Sequence, residues 1–207
     1  MVYVVQPTTR ILFSIVLEDT AVQDFLGAMK EHHTDTALHS ERVGVYTLDM
    51  YVTGYMTTRS GLVVINQENI SEALRWGTAG VCHDAGKLLT PVEILAKPGK
   101  LDEKERARMN KHPLLGLQIL DEYTRDEAVY HAAVGHHEYK TRASYPRHKR
   151  RGEDDLVEAV ALADFYDALA SKRGYKPAFS REEIGRIMHE EFNGNPQHLD
   201  ELLRRAS

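Results

Sequence analysis

The stretch HDAGKLLTPVEILAKPGKLDEKERARMNKHP (residues 83–113) decides how this chain is read. His83 and Asp84 put an imidazole and a carboxylate side by side, and His112 adds a third donor at the start of a helical pattern. Outward from this stretch lie His39 in DTALHSERV, the adjacent His136 and His137 in GHHE, and Asp164 in ALADFYDAL. Each residue alone has an ordinary explanation, since a lone histidine is usually a surface residue or a satisfied core residue. Asp164 alone suits a helix-face carboxylate or a partner for an arginine. As a set, five histidines and two aspartates on or at the ends of helices invite one explanation. A helix bundle can aim side chains from several helices at a single point.

Those residue types suit divalent metal chemistry. Imidazole and carboxylate together fit iron, manganese, zinc and similar ions. Asp84 has two oxygens and can bridge two ions, while Asp164 offsets more of their charge. Two ions about 3.5–4 Å apart hold a hydroxide and clamp both sides of an in-line phosphoryl displacement. Lys87, one helical turn beyond Asp84, can set a cation near a phosphate oxygen. Asp167 shares a helix face with Asp164 and either orients a ligand from outside the first ring of donors or caps a surface interaction. Glu138 carries the same two readings.

The surrounding pattern is helical. Val22, Phe25, Leu26 and Met29 follow the spacing of an apolar helix face, and Val43, Tyr46, Thr47 and Met50 predict a second helix after His39. Further helices are predicted over residues 70–82 with Asn69 or Ser71 as N-cap, around Leu114 to Leu120, over 128–137, and from Leu156 to about Leu169. Ile184, Ile187 and Met188 predict one more, and 199–205 can close the chain. Short strand signals occur only at 2–5 and 62–65, and loops are expected near 57–68, 88–102, 139–152 and 171–180. The expected fold class is all-α, divided into an N-terminal helical extension (1–30) and a catalytic domain (31–207).

Composition narrows the classes. The 207 residues contain one cysteine, Cys82, which excludes an intrachain disulfide, a zinc ribbon and a cysteine-held iron–sulfur cluster. Cys82 itself reads as a buried small residue and Trp76 as core. Eleven histidines against five Phe and one Trp are the compositional hint of metal chemistry. His32, His33, His131, His148, His189 and His198 stand outside the pattern. The best apolar run, residues 11–17, is far short of the roughly 20 residues of a membrane span. With no signal peptide apparent, the expectation is a cytoplasmic protein without a membrane partner. The net charge of −5 hides an asymmetry: residues 139–152 hold six basic side chains and no acidic one, and without them the net charge is −11. That segment is either a solvated loop or an anion-binding rim; nucleic acid is not an expected partner, because no nucleic-acid-binding motif accompanies it.

The residues resemble the HD-GYP phosphodiesterases, a subgroup of the HD-domain metal-dependent phosphohydrolases. The likeness is carried by residues 83–120, by HHEYKTRASYP (136–146) and by ADFYDALASKRGYKPAFS (163–180), and with HSERV it spans about 33–190. It implies an HD-domain helical bundle around two, sometimes three, metal ions, commonly iron or manganese. It also implies cyclic di-GMP as substrate, opened to pGpG and sometimes cut onward to GMP. Carried over by position, His39, His83, Asp84, His112, His136, His137 and Asp164 match metal ligands, with Asp84 bridging. Lys87 matches the lysine of the HDxGK run. Arg173 and Lys176 match basic residues that hold phosphates and bases, and Tyr145 matches the tyrosine of GYP.

The chain departs from the family pattern in three places. GYP reads Ser144-Tyr145-Pro146, and its glycine-rich lead-in reads Thr141-Arg142-Ala143. Asp35 stands where some members carry a third-metal Glu. The His39–His83 interval is long, with its surplus near 57–68, a candidate lid or interface loop. Few residues precede His39, so a stand-alone catalytic domain is expected, controlled by a protein regulator or by substrate level. The expected chemistry is in-line attack of a metal-bridging hydroxide on a cyclic dinucleotide, with Asp84 and Lys87 as catalytic residues and Tyr145 against a base or packing its loop. Rival readings are a non-catalytic cyclic-dinucleotide-binding module and another HD-superfamily reaction, either nucleotide monophosphate hydrolysis or di-iron oxygenation.

Overall fold

The computed structural model describes residues 5–139, 145–146, 154–171 and 179–205. Three helices follow one another with single-residue joints. The first, α1 (Pro7–Glu18), starts on proline, whose fixed φ suits a first helical position. Asp19 ends it and caps α2 (Thr20–His32), accepting from the Ala21 and Val22 N–H groups. His33 caps α3 (Thr34–Tyr51) in the same manner, with the Thr36 N–H donating to its Nδ1. The chain continues from α3 into a wide π-type turn, Val52–Met56. There Tyr55 stacks on Tyr51, and both rings lie against Trp76.

The helix α4 (Gln67–Cys82) is capped by Asn66, not by the expected Asn69 or Ser71. It packs on α3 at close range because both present glycine. A Cβ on Gly80 would lie 2.8 Å from the Gly44 Cα, and one on Gly44 2.6 Å from a Val81 methyl. A tight 3-10 turn (Ala85–Leu89) leads into short α5 (Val92–Leu95) and then α6 (Glu103–Met109). Next come α7 (His112–Leu120), α8 (Glu127–Gly135), α9 (Asp155–Ala170), α10 (Arg181–Glu191) and α11 (Pro196–Arg205). Every residue of α9 from Leu156 to Asp167 is buried, which marks it as the central helix. It packs against α3, α4, α8, α10 and α11.

The apolar core runs through Phe25, Met29, Leu48, Leu120, Leu162 and Ile184, each fully buried. One polar anchor joins the two ends of the chain. Asp49, buried in α3, accepts from Gln6 N–H (3.0 Å), Thr9 Oγ1 (2.6 Å) and Arg205 Nε (2.7 Å).

The all-α expectation holds among the described residues. Residues 62–65 form no strand; Val63 makes an isolated bridge to Thr57. Val5 is not in a strand, and residues 2–4 lie outside the described set. Helix α1 falls within the expected N-terminal helical extension, and two helices, α5 and α6, go beyond the sequence expectation. Ile11 and Ile15 of α1 face outward and blur its apolar stripe. Short α5 falls inside the loop expected at 88–102. No residue of α6 is buried, so it rests on a capping box between Asp102 and Glu105. No described helix is long and apolar enough to cross a membrane.

Candidate metal centre

All seven proposed ligands converge. His39 comes from the middle of α3 and Asp164 from the middle of α9; the other five sit where helices begin or end. His83 and Asp84 follow α4, His112 opens α7, and His136 and His137 follow α8. A local device fixes three of the rings. Nδ1 of His83 lies 2.8 Å from the Gly80 carbonyl, Nδ1 of His112 lies 2.8 Å from the Met109 carbonyl, and Nδ1 of His136 lies 2.9 Å from the Ala133 carbonyl. Each partner is the carbonyl three residues earlier. A carbonyl only accepts, so each Nδ1 carries the proton and each Nε2 of the neutral ring presents a lone pair. The same bond satisfies a carbonyl at a helix terminus.

Those lone pairs meet at Asp84, which is 1 % exposed. Its Oδ1 faces Nε2 of His112 (3.1 Å) and of His136 (3.8 Å). Its Oδ2 faces Nε2 of His83 (3.3 Å) and of His39 (3.5 Å). Asp164 Oδ1 lies 3.3 Å from His39 Nε2, and its Oδ2 lies 3.7 Å from His137 Nδ1. Two three-donor groups result, His39/His83/Asp84 and His112/His136/His137, each with its ligand atoms within 4.8 Å of one another. Asp84 stands between them with one oxygen toward each.

The donor set fits divalent cations. The Nε2 atoms of His112 and His136 approach to 3.3 Å, and neither has a proton to give the other in the tautomer their backbone bonds select. Nε2 of His83 is buried without a hydrogen-bond partner among the described residues. Acceptors crowded together away from water are costly unless a cation sits among them. Electrostatics agree. Burial alone would raise the Asp84 carboxyl, but the Lys87 charge and, while no ion occupies the cup, protonated His83 and His112 outweigh it and hold it well below the usual carboxylate range. Burial and the neighbouring His83 and His112 hold His136 well below the ordinary imidazole value. At His39 burial is outweighed by hydrogen bonds to Asp164 and Asp167 and by the charge of Asp84, which push it up to about 9. The cup therefore attracts a cation, and binding a metal there displaces protons.

Around the cup, Lys87 Nζ donates to Asp84 Oδ2. Tyr145 lies over the His137 ring, centroids 4.4 Å apart, and meets His112 edge-on at 6.1 Å. Burial, with the charges of Asp164 and Asp84, pushes its phenol up, so it stays a donor. Asp35 is exposed in the first turn of α3 and joins neither donor group. Arg173, Lys176, Ser144 and all six basic side chains of 139–152 lie outside the described residues. Cys82 is buried beside His83, its thiol pushed up to about 12 chiefly by burial. His198 pairs with Glu158 at 2.8 Å. Asp167 accepts from His39 Nδ1 at 2.7 Å and also receives a two-pronged contact from Arg42. Arg42 escaped the sequence reading, although HSERV sets it three residues after His39 on the same helix face.

A helical bundle holding adjacent His and Asp among four further histidines and a distal Asp defines the class. The family profile described as "HD domain" matches residues 58–201, and the chain belongs to that family. It is 33 % identical over 167 residues to a protein named 3'3'-cGAMP-specific phosphodiesterase 2 of Vibrio cholerae, covering 79 % of this chain and 30 % of that one. It is 31 % identical over 190 residues to a cyclic di-GMP phosphodiesterase of Thermotoga maritima, covering 88 % of this chain and 48 % of the relative. The chain thus spans less than half the length of these two curated relatives. An HDG"Y"P protein from Bdellovibrio bacteriovorus shares the fold, with a TM-score of 0.62 at 16 % identity over 95 % of this chain and 61 % of that one.

Proposed function

We propose that the chain is a metal-dependent phosphodiesterase that opens a cyclic dinucleotide, cyclic di-GMP first, to linear pGpG and onward to GMP. The observation that carries the reading is Asp84, with one oxygen toward the Nε2 atoms of His39 and His83 and the other toward those of His112 and His136, three of these rings being aimed by backbone carbonyls and His39 by Asp167. The names of the relatives support the substrate class. Two divalent ions, iron or manganese, held by His39, His83, Asp84, His112, His136, His137 and Asp164 would acidify a water and neutralise charge on the phosphate.

The chain's residues do the rest. Lys87, 19 % exposed beside Asp84, presents a positive charge toward the mouth of the cup, where a phosphoryl oxygen gains an electrostatic contact. Arg173 and Lys176 are assigned to the phosphates by the family resemblance, arginine being the side chain suited to two-pronged phosphate recognition. Tyr145 keeps its proton and offers a ring face and a hydroxyl to the base. Residues 31–207 form the catalytic unit, and a single buried free cysteine suits the reducing cytoplasm.

The test is turnover of cyclic di-GMP, 3'3'-cGAMP and linear dinucleotides with manganese or ferrous iron at low oxygen. Wild-type protein should cut at least one, and His83→Ala and Asp84→Ala should each lose about 10²–10³-fold or more. If the metal-loaded protein cuts no phosphodiester, the enzyme reading is wrong. Tight cyclic-dinucleotide binding without turnover at full metal occupancy would replace it with a binding module.

A further inference from the structure

Backbone carbonyls hold the rings of His83, His112 and His136, but His39 is held by a side chain from another helix. Its Nδ1 lies 2.7 Å from Asp167 Oδ2, and its Nε2 lies 3.3 Å from Asp164 Oδ1. Asp167 is 1 % exposed and comes from α9, one turn beyond Asp164. A carboxylate can rotate about its last bond, so Asp167 fixes His39 only if something fixes Asp167. Arg42 does so. Its Nε donates to Oδ1 at 2.7 Å and its Nη2 to Oδ2 at 2.9 Å, with Ser171 Oγ adding a bond to Oδ1 at 3.1 Å. Arg42 lies one turn beyond His39 on α3, so two residue pairs spaced i, i+3 face each other across the α3–α9 contact. The planar guanidinium sets the plane of the carboxylate, and that plane sets the imidazole.

We propose that Arg42 is a positioning residue for the metal centre: by clamping Asp167 it aims His39, and so controls occupancy of the ion site on the His39/His83 side of Asp84. This rests on the reading of the cup as a two-ion centre. On the other side, His112 and His136 are held by their own local bonds and do not depend on Arg42. Loss of the clamp is therefore one-sided. Lysine in its place keeps a charge but gives up the fork, so its effect is intermediate.

The test is titration of the full chain, stripped by chelator, with manganese(II) alone, read by bound stoichiometry and by the electron paramagnetic resonance of the bound ions. Wild-type protein should take up two manganese ions and show a coupled spectrum. Arg42→Ala should keep one ion at wild-type affinity, weaken the other about 10–100-fold, and show the spectrum of an isolated ion. Arg42→Lys should weaken the same site less, and Asp167→Asn should weaken it as Arg42→Ala does. Two retained sites of wild-type affinity in Arg42→Ala would overturn the proposal. So would equal weakening of both sites, because a general loss of packing has no reason to be one-sided. If Arg42→Ala does not fold, unchanged two-site binding in both Arg42→Lys and Asp167→Asn overturns it. Failure of the wild-type protein to bind manganese would instead remove the two-ion reading itself, before any substitution is compared.

Discussion

Gly86→Ala is the sharpest perturbation of the centre that leaves every proposed ligand in place. Gly86 lies in the 3-10 turn just after Asp84, pressed against the start of α7. A Cβ there would sit 1.9 Å from the His112 carbonyl oxygen, 2.6 Å from Gly116 N and 2.7 Å from the His112 carbonyl carbon. All three are backbone atoms, so no side chain can swing away. Restoring ordinary contact requires the turn and α7 to part by roughly 1.5 Å. That movement separates Asp84 from His112, now 3.1 Å apart at Oδ1 and Nε2. Coordination tolerates about 0.2 Å, so manganese affinity should fall by about 100-fold or more, beyond the usual effect of losing a supporting bond. Overpacking adds a stability cost of about 3 kcal/mol, a fall in Tm of about 6–12 °C for a chain of this length.

Gly116→Ala is the control from the same contact. Its Cβ would meet Gly86 N at 3.4 Å and the Ala133 Cβ at 3.7 Å, both ordinary distances. Alanine also favours a helix interior by about 1 kcal/mol over glycine. Gly116→Ala should therefore bind manganese as wild-type does and melt no lower. Calorimetric titration and thermal unfolding of both variants decide the matter. Wild-type affinity and Tm in Gly86→Ala, or a greater loss in Gly116→Ala, would refute the argument that this glycine sets the Asp84–His112 distance.

Other expectations lie away from the centre. Asp49→Ala removes the acceptor shared by Gln6, Thr9 and the mostly buried Arg205 guanidinium. The cost should be about 3–5 kcal/mol; denaturant unfolding that shows less than about 1 kcal/mol would mean that the two chain ends are held by something else. His198, raised above 6.5 by its bond to Glu158, stabilises the folded state below pH 6.5, and the contribution disappears as pH rises through its raised value. His198→Ala should therefore destabilise the protein more at pH 6 than at pH 9, and equal losses at the two would refute the pairing. Tyr145→Phe keeps the ring over His137 and removes the hydroxyl. It should leave manganese affinity unchanged while raising KM for the dinucleotide, and an unchanged KM would reduce Tyr145 to loop packing.

How much of this was legible in the sequence depended on whether the cause of each feature is local. The short strand signal at 62–65 lies inside the loop expected over 57–68, and a strand needs a partner. Only Val63 finds one, in a bridge to Thr57, while Leu62 and Ile65 stay exposed. The helix α6 was invisible to apolar periodicity because none of its residues is buried; the signal lay in Asp102 and Glu105, a capping pair three residues apart. Asn66 rather than Asn69 caps α4, an offset of one turn that apolar spacing cannot resolve.

The ligands were legible for a physical reason that the structure makes explicit. His83, His112 and His136 each stand three residues after a carbonyl left open at or near a helix end, and each ring closes that carbonyl with its Nδ1 proton. A ligand placed this way is tied to a helix terminus, so its position follows from local spacing and survives in a motif. His39 has no such local partner, and the residues that hold it, Asp167 and Arg42, meet across 125 positions of chain. Asp167 could be suspected from its i, i+3 relation to Asp164, but nothing in the spacing of HSERV says which carboxylate Arg42 takes. His39 was therefore readable as a ligand together with the rings held by backbone carbonyls, but the Arg42 clamp on Asp167 that holds it was not. The same division predicts that Arg42 substitutions act on one ion site and Gly86 substitutions on the Asp84–His112 side.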